Sequence, residues 1–144
     1  MNALAGLSSW TPPMLAVLRI VTALLFVEHG TSKLFGFPPP PAGMGEIELF
    51  SLMGLAGVLE TFGGLLILIG LFTRPVAFVL AGFMAVAYFM AHAPLSFYPM
   101  LNMGEPAILY CFVFLTLMVA GPGSWSVDSL KSPEPVVTTS PRHL

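Results

Sequence analysis

The chain has 144 residues, of which 56% are hydrophobic and only 8% are charged, and its net charge is −2. Because a water-facing surface needs far more polar side chains, this composition excludes an ordinary soluble domain and predicts a membrane protein. The few Lys and Arg residues are too scattered to form a nucleic-acid-binding face. The single cysteine, Cys111, excludes an internal disulfide and a thiolate metal site, and no other metal site is expected.

Four apolar segments follow one another along the chain, and each is predicted to be a membrane-spanning helix. Each holds about 17 or more mostly apolar residues, which is enough to cross a hydrocarbon core about 30 Å thick. The predicted spans are residues 12–34, 46–72, 75–92 and 105–120.

Proline and glycine mark the ends of these segments. The four prolines at 38–41 cannot be helical and predict an extended connector. Pro94 ends the third span, and the Gly-Pro-Gly sequence at 121–123 ends the fourth. The predicted fold is all-α, an antiparallel bundle of four transmembrane helices in one domain over residues 1–128. The polar, proline-bearing tail at 129–144 is predicted to be disordered.

The positive charges indicate the orientation of the bundle. Four spans place both termini and the turn between the second and third helices on one side, and that side carries Arg74, Lys131 and Arg142. The opposite side carries only Lys33, at a helix end. Because cytoplasmic loops are enriched in Lys and Arg, both termini are predicted to be cytoplasmic.

Ionisable residues inside the spans need a partner or a purpose, because each costs roughly 2.5–3.5 kcal/mol at the bilayer centre. Arg19 lies about 10 Å from the cytoplasmic end of the first predicted helix, and Glu60 about 12 Å from that side on the second. Opposite charges at matching depth predict an Arg19–Glu60 ion pair within the membrane. Such a pair would be structural or functional, and the sequence alone favours the structural role.

A second polar group is predicted at the outer side. His29 and Lys33 lie four residues apart near the end of the first helix, and Tyr88 and His92 repeat that spacing on the third. These residues predict an outward-facing pocket that would hold a quinone-like head group, relay protons or accept a small anion. The alternative is that residues near helix ends merely reach the interface. The pocket candidates are His29, Lys33, Tyr88, His92, Asn102 and Glu105.

An ordered series of motifs resembles the DoxX family of small bacterial membrane proteins, over nearly the whole chain from about residue 15 to 128. It contains most of the intramembrane polar residues named above. The motifs are Arg19; Glu28-His29-Gly30-x-x-Lys33-Leu34-x-Gly36; Glu60-x-x-Gly63-Gly64-x-Leu66-x-x-x-Gly70-Leu71-x-Thr73-Arg74; His92; Asn102-x-Gly104-Glu105; and Gly121-Pro122-Gly123-Ser124-Trp125-Ser126-x-Asp128.

The resemblance implies a four-helix protein of the bacterial cytoplasmic membrane. The family takes its name from similarity to a subunit of an archaeal thiosulfate:quinone oxidoreductase, and some relatives are linked to membrane complexes that handle oxidative and thiol stress. It supports a fold more strongly than a reaction.

Three functions are compatible with these features. The first is a component of a membrane oxidoreductase system that binds quinone or a small redox substrate and takes electrons from a soluble or membrane partner. The second is a non-catalytic scaffold that docks a peripheral enzyme, and the third is transport of a small solute by a homo-oligomer. No cofactor of its own is evident in the sequence, and no self-contained catalytic motif identifies an enzyme.

Overall fold

The computed structural model describes residues 3–40 and 47–131, and every regular element in these ranges is helical. The predicted all-α class is confirmed. Two single-turn helices, at Pro99–Asn102 and Val127–Lys131, follow the third and fourth long helices. The four long helices are α1 (Thr11–Phe35), α2 (Leu52–Ile69), α3 (Thr73–His92) and α4 (Glu105–Ala120).

Three of these helices are long and apolar enough to cross a membrane. Helix α1 continues directly from a 3-10 helix at Ala3–Trp10, and together they give a 30-residue apolar stretch, Gly6–Phe35. Helices α2 and α3 have 18 and 20 residues. Helix α4 is apolar but shorter, with 16 residues or about 24 Å. The chain is therefore a helical membrane bundle, and its described residues include three helices of spanning length and one shorter apolar helix.

Local sequence signals explain the ends of α2. Ser51 is the N-cap, and its hydroxyl accepts a hydrogen bond from the amide of Gly54 at 3.1 Å. Gly70 ends the helix with φ +67°, a left-handed conformation that glycine adopts without strain. The helix thus begins six residues after the predicted start at Glu46, which lies outside the described residues.

The predicted disordered tail begins too early. Residues 129–131 belong to the short helix Val127–Lys131, while residues 132–144 lie outside the part of the chain that the structure describes. The helix is held in place by Asp128, because both its backbone amide and its carboxylate bond to the turn between α2 and α3.

Successive helices are antiparallel, and they pack as two hairpins, α1 with α2 and α3 with α4. Glycine allows the closest approach between α1 and α2, because a Cβ at Gly30 would overlap the backbone of Thr61. Between the hairpins lies a core of fully buried apolar side chains. It includes Phe26, Ile67, Leu80, Phe114 and Leu117, each 0–1% exposed.

Candidate functional site

Arg19 is completely buried, and its guanidinium is saturated by backbone carbonyl groups. A guanidinium has five N–H bonds, and five carbonyl oxygens accept from it at 2.8–3.3 Å. We call this set the Arg19 network. Its acceptors are Ile67 and Leu68 at the end of α2, and Pro122, Ser124 and Trp125 in the segment that follows α4. The network therefore fastens α1, α2 and the C-terminal segment together.

The predicted Arg19–Glu60 ion pair is wrong. The carbonyls that Arg19 binds on α2 lie seven and eight residues beyond Glu60, which is about 10–12 Å along the helix axis. The prediction placed Glu60 too deep toward the Arg19 side because it began α2 six residues early. Arg19 instead neutralises the partial negative charge at the C-terminal end of α2.

The C-terminal segment makes two further electrostatic contacts at this end of the bundle. The carboxylate of Asp128 accepts hydrogen bonds from the amides of Phe72 and Thr73, at 2.9 and 2.8 Å, and so caps the start of α3. Burial alone would raise the pKa of the Asp128 carboxyl, but hydrogen bonds from Thr73 and Phe72 and the charge of Lys131 lower this pKa below its ordinary value. At the end of α4, Arg74 donates to two carbonyls, at 2.8 and 2.6 Å.

Glu60 pairs instead with Lys33. The Lys33 ammonium donates to both carboxylate oxygens of Glu60, at 2.6 and 2.5 Å, and Glu60 is only 4% exposed. Lys33 comes from the last turn of α1, and Glu60 lies in a π-helical turn, Leu59–Gly63, that interrupts α2. Such turns shift the side-chain register and are frequent at functional sites.

This ion pair lies deep in the bundle. Gly30, on the same helix as Lys33, contacts Thr61, which is the tenth of the 18 residues of α2. This contact therefore lies near the middle of α2, whereas on α1 Gly30 is only five residues before the last residue, Phe35.

Two aromatic side chains adjoin the ion pair from neighbouring helices. His29 is exposed on α1, and its imidazole meets the ring of Tyr110 on α4 edge-on, with 6.1 Å between ring centroids. His29 also interacts electrostatically with Glu60. We call His29, Lys33, Glu60 and Tyr110 the His29 cluster. Among the described residues, no hydrogen-bond partner lies opposite the imidazole of His29 or the hydroxyl of Tyr110.

Buried aromatic rings form the floor of the His29 cluster. The centroid of the Phe26 ring lies 5.1 Å from that of Tyr110 and 5.0 Å from that of Phe114. The rings of Tyr110 and Phe114 are nearly parallel, with centroids 6.2 Å apart. Tyr110 was not among the predicted site residues. The only signal for it in the sequence was its hydroxyl, one of the few polar groups of this helix beside Glu105 and Thr116.

Three of the other predicted pocket residues, Tyr88, His92 and Asn102, form a second group together with Ser96 and Gly104, which we call the His92 cluster. Tyr88 and His92 stack at 6.4 Å, as their four-residue spacing predicts, and lie in a π-helical turn at the end of α3. Nδ1 of His92 is 2.9 Å from the carbonyl oxygen of Asn102. Asn102 is 1% exposed, donating to the carbonyl of Ser96 and accepting from the amide of Gly104. This cluster ties the end of α3 to the start of α4.

The predicted pocket is thus divided. The structure brings Lys33 and His29 together with Glu60 and Tyr110, and separately brings Tyr88 and His92 together with Asn102. Glu105 is exposed in the first turn of α4 and has no side-chain hydrogen bond to any described residue. Within residues 3–40 and 47–131, only the His29 cluster combines a buried ion pair with neighbouring polar groups that have no hydrogen-bond partner there.

Comparison with known proteins agrees with the resemblance seen in the sequence. The model of the DoxX family matches residues 14–93. An uncharacterised protein of Haemophilus influenzae is 40% identical over 127 residues, covering 86% of this chain and 95% of its own. The inner membrane protein YqjF of Escherichia coli K12 is 31% identical over 129 residues, covering 79% and 88%. No solved structure matches the chain.

Proposed function

The chain belongs to the DoxX family of bacterial inner-membrane proteins, and we propose that it is the membrane component of an oxidoreductase system. In this proposal the His29 cluster binds the head group of a quinone or of a similar small redox substrate. The observation that carries it is the pair of unpartnered polar groups, on His29 and Tyr110, next to the buried ion pair of Lys33 and Glu60.

The chemistry of a quinone matches this arrangement. Its carbonyl oxygens accept hydrogen bonds, and an imidazole N–H and a phenol O–H are suitable donors. Its flat ring would pack against aromatic side chains, and Tyr110 with Phe26 and Phe114 provides such a surface. Because His29 is exposed on the lipid-facing side of α1, a ligand dissolved in the bilayer would reach it without crossing water.

The cluster also contains the groups needed to manage protons during a redox reaction. Histidine changes protonation state near neutral pH, so His29 is suited to exchange a proton with a bound head group. The neighbouring Lys33–Glu60 ion pair is a fixed dipole that would orient the ligand, and its two opposite charges keep the site electrically neutral. The electrons would come from a partner protein, either soluble or membrane-bound, since Cys111 is the single cysteine.

Quinone binding is tested with the full chain in lipid nanodiscs and a short-tailed ubiquinone or menaquinone as the probe. Loss of one hydrogen bond is worth about 1–1.5 kcal/mol, so Tyr110→Phe should weaken binding about tenfold. His29→Ala should weaken it at least as much. Tyr98→Phe, which removes a hydroxyl from an exposed tyrosine outside the cluster, is the matched control. Equal affinities for all of these variants would contradict the proposal.

A scaffold that docks a peripheral enzyme is the second candidate. It is supported by the Arg19 network and the His92 cluster, whose polar groups bind within the chain and hold the bundle together. Combined replacement of His29, Lys33 and Glu105 by alanine separates the two candidates. A folded triple variant that loses quinone binding but still recruits its partner supports the oxidoreductase component. Loss of folding without a separate binding defect supports the scaffold.

We further propose that both termini face the cytoplasm. Arg74 and Lys131 are exposed at the end of the bundle that carries the Arg19 network, as expected for a cytoplasmic surface. A fluorescent protein fused to the C-terminus should fold and emit light, whereas a periplasmic alkaline phosphatase fused there should remain inactive. The opposite pattern would reverse the orientation.

A further inference from the structure

Helix α4 stops short of its neighbour α3 at the end of the bundle opposite the Arg19 network. At the other end the two helices are level, because Arg74 in the first turn of α3 donates to the carbonyls of Met118 and Val119 in the last turn of α4. Helix α3 has 20 residues, or about 30 Å, whereas α4 has 16 residues, or about 24 Å. A step of about 6 Å is therefore left beside the last turn of α3.

Residues 95–103, which we call the α3–α4 segment, fill this step. Nδ1 of His92, the last residue of α3, is 2.9 Å from the carbonyl oxygen of Asn102. The buried side chain of Asn102 donates to the carbonyl of Ser96 and accepts from the amide of Gly104, at 2.8 Å each. The segment is therefore folded against the end of α3 and held at its level, rather than extending away from the bundle.

The backbone of the α3–α4 segment bonds largely within itself. The amides of Leu101 and Asn102 both donate to the carbonyl of Tyr98, at 2.9 and 3.1 Å. The amide of Gly104 donates to the carbonyl of Pro99 at 3.1 Å, and Pro99 itself has no amide hydrogen. Because an unsatisfied backbone group is costly away from water, internal bonding of this kind is what irregular backbone needs at a membrane.

The side chains that the α3–α4 segment exposes are large and apolar. They are 62–86% exposed, and they are Leu95, Phe97, Tyr98, Met100, Leu101 and Met103. No residue from 93 to 104 carries a charge. At the opposite end of the bundle, by contrast, the start of α3 lies beside the exposed side chains of Arg74 and Lys131. A continuous exposed apolar surface without charges indicates contact with something other than water.

We propose that the α3–α4 segment inserts into the membrane interface, where its apolar side chains contact the acyl chains next to the lipid head groups. Two features favour lipid over a protein partner. The segment is bonded to the last turn of α3 and so continues the lipid-facing surface of that helix. Its insertion also supplies the length that α4 lacks to cross a hydrocarbon core about 30 Å thick. The ring and hydroxyl of Tyr98 are typical of this level.

Tryptophan fluorescence in lipid nanodiscs tests the insertion. The two native tryptophans are replaced in W10F/W125F, and Phe97→Trp then supplies the single fluorophore. Lipids with brominated acyl chains should quench its emission about as strongly as that of Phe112→Trp, at an exposed position on α4. Iodide in the water should have little effect on either variant. Met100→Trp provides a second position in the segment and should behave in the same way.

Two other patterns of quenching would overturn the insertion. Quenching by iodide but not by the brominated lipid would place the segment in water, as expected for a surface that binds a soluble protein. Protection from both quenchers would mean that a second copy of the chain covers the segment.

A charge placed in the α3–α4 segment gives an independent test. Phe97 is 86% exposed, so in water Phe97→Glu would remove few contacts and leave the stability nearly unchanged. In lipid the carboxylate has to be drawn out to the head groups, and the Tm in nanodiscs should fall by about 5 °C. Phe97→Leu is the matched apolar variant and should keep the native Tm. Equal Tm values for F97E and F97L would show that lipid does not surround this side chain.

Discussion

Arg19 and Lys33 are two cations on one helix, α1, yet their surroundings differ. Arg19 is surrounded by five carbonyl groups that match its five N–H bonds, whereas Lys33 bonds to a single carboxylate beside His29 and Tyr110. The first environment is closed, because no donor is left for a ligand. The second leaves the imidazole of His29 and the hydroxyl of Tyr110 without a hydrogen-bond partner among the described residues. Hydrogen-bond saturation, rather than the presence of a charge, distinguishes structural from functional polar groups in this bundle.

The largest effect is expected at Arg19. Arg19→Leu leaves carbonyls at the end of α2 and in the C-terminal segment without donors, and should destabilise the fold by about 3–5 kcal/mol. Unfolding in mixed micelles of rising SDS content measures this loss. Arg19→Lys is the matched variant, and it should recover only part of the stability because ammonium has three donors and no planar fork. If R19L unfolded at the same SDS content as the native chain, the Arg19 network would not stabilise the fold.

A somewhat smaller effect is expected when the Lys33–Glu60 pair is broken. Lys33→Met leaves Glu60 buried without its partner and should cost about 3 kcal/mol. The double variant K33M/E60L removes both charges and should regain most of that stability. If the pair serves ligand binding, the double variant stays folded but loses quinone affinity. A double variant that is no more stable than K33M would show that the pair is needed for folding.

The contact between α1 and α2 provides the next test. Gly30→Val places side-chain atoms against the backbone of Thr61 and should destabilise the bundle by about 1–3 kcal/mol. Gly82→Val is the control, because a Cβ at Gly82 on α3 meets no atom within 4 Å. The midpoint of SDS unfolding should fall for G30V and stay close to the native value for G82V. Equal midpoints would indicate that the two helices separate freely at Gly30.

A smaller effect, and a dependence on pH, are expected at Asp128. Asp128→Ala removes the carboxylate that accepts hydrogen bonds from the amides at the start of α3 and should cost about 1 kcal/mol near neutral pH. Because the pKa of Asp128 is lowered in the folded state, its contribution is complete above the ordinary value of 3.8 and is lost as pH falls through the lowered pKa. The stability difference between the native chain and D128A should therefore vanish in strong acid. Glu105→Gln, at an exposed carboxyl, should leave the profile unchanged.

The sequence was sufficient for the all-α class and for the bounds of three of the four long helices. Hydrophobic segments and Pro/Gly breaks predicted α1, α3 and α4 to within two residues, because lipid imposes a fixed length and internal hydrogen bonding. The start of α2 was misplaced because Ser51, its N-cap, lies within a long apolar region. Hydropathy alone extends the predicted helix past this residue. That shift was enough to assign Glu60 to the wrong cation.

The contents of the candidate site could not be derived in the same way. Two π-helical turns, at Leu59–Gly63 and Tyr88–His92, change which side chains share a face, and no sequence pattern marked them. The five carbonyl acceptors of Arg19 could not be identified from the sequence either, because every residue has a carbonyl group and only the fold determines which ones lie near the guanidinium. Side-chain partners were therefore predicted less well than the helices that carry them.

The smallest effect is expected at Tyr110, and it distinguishes the two regions most directly. Tyr110→Phe keeps the ring that packs on Phe26 and Phe114 and removes only a hydroxyl that has no acceptor among the described residues. Stability should change by less than about 0.5 kcal/mol, in contrast to Arg19→Leu, because no internal hydrogen bond is lost. A drop of 1 kcal/mol or more in the same SDS titration would mean that the hydroxyl is bonded within the bundle. In that case the His29 cluster is as closed as the Arg19 network, and the basis for placing a ligand there is lost.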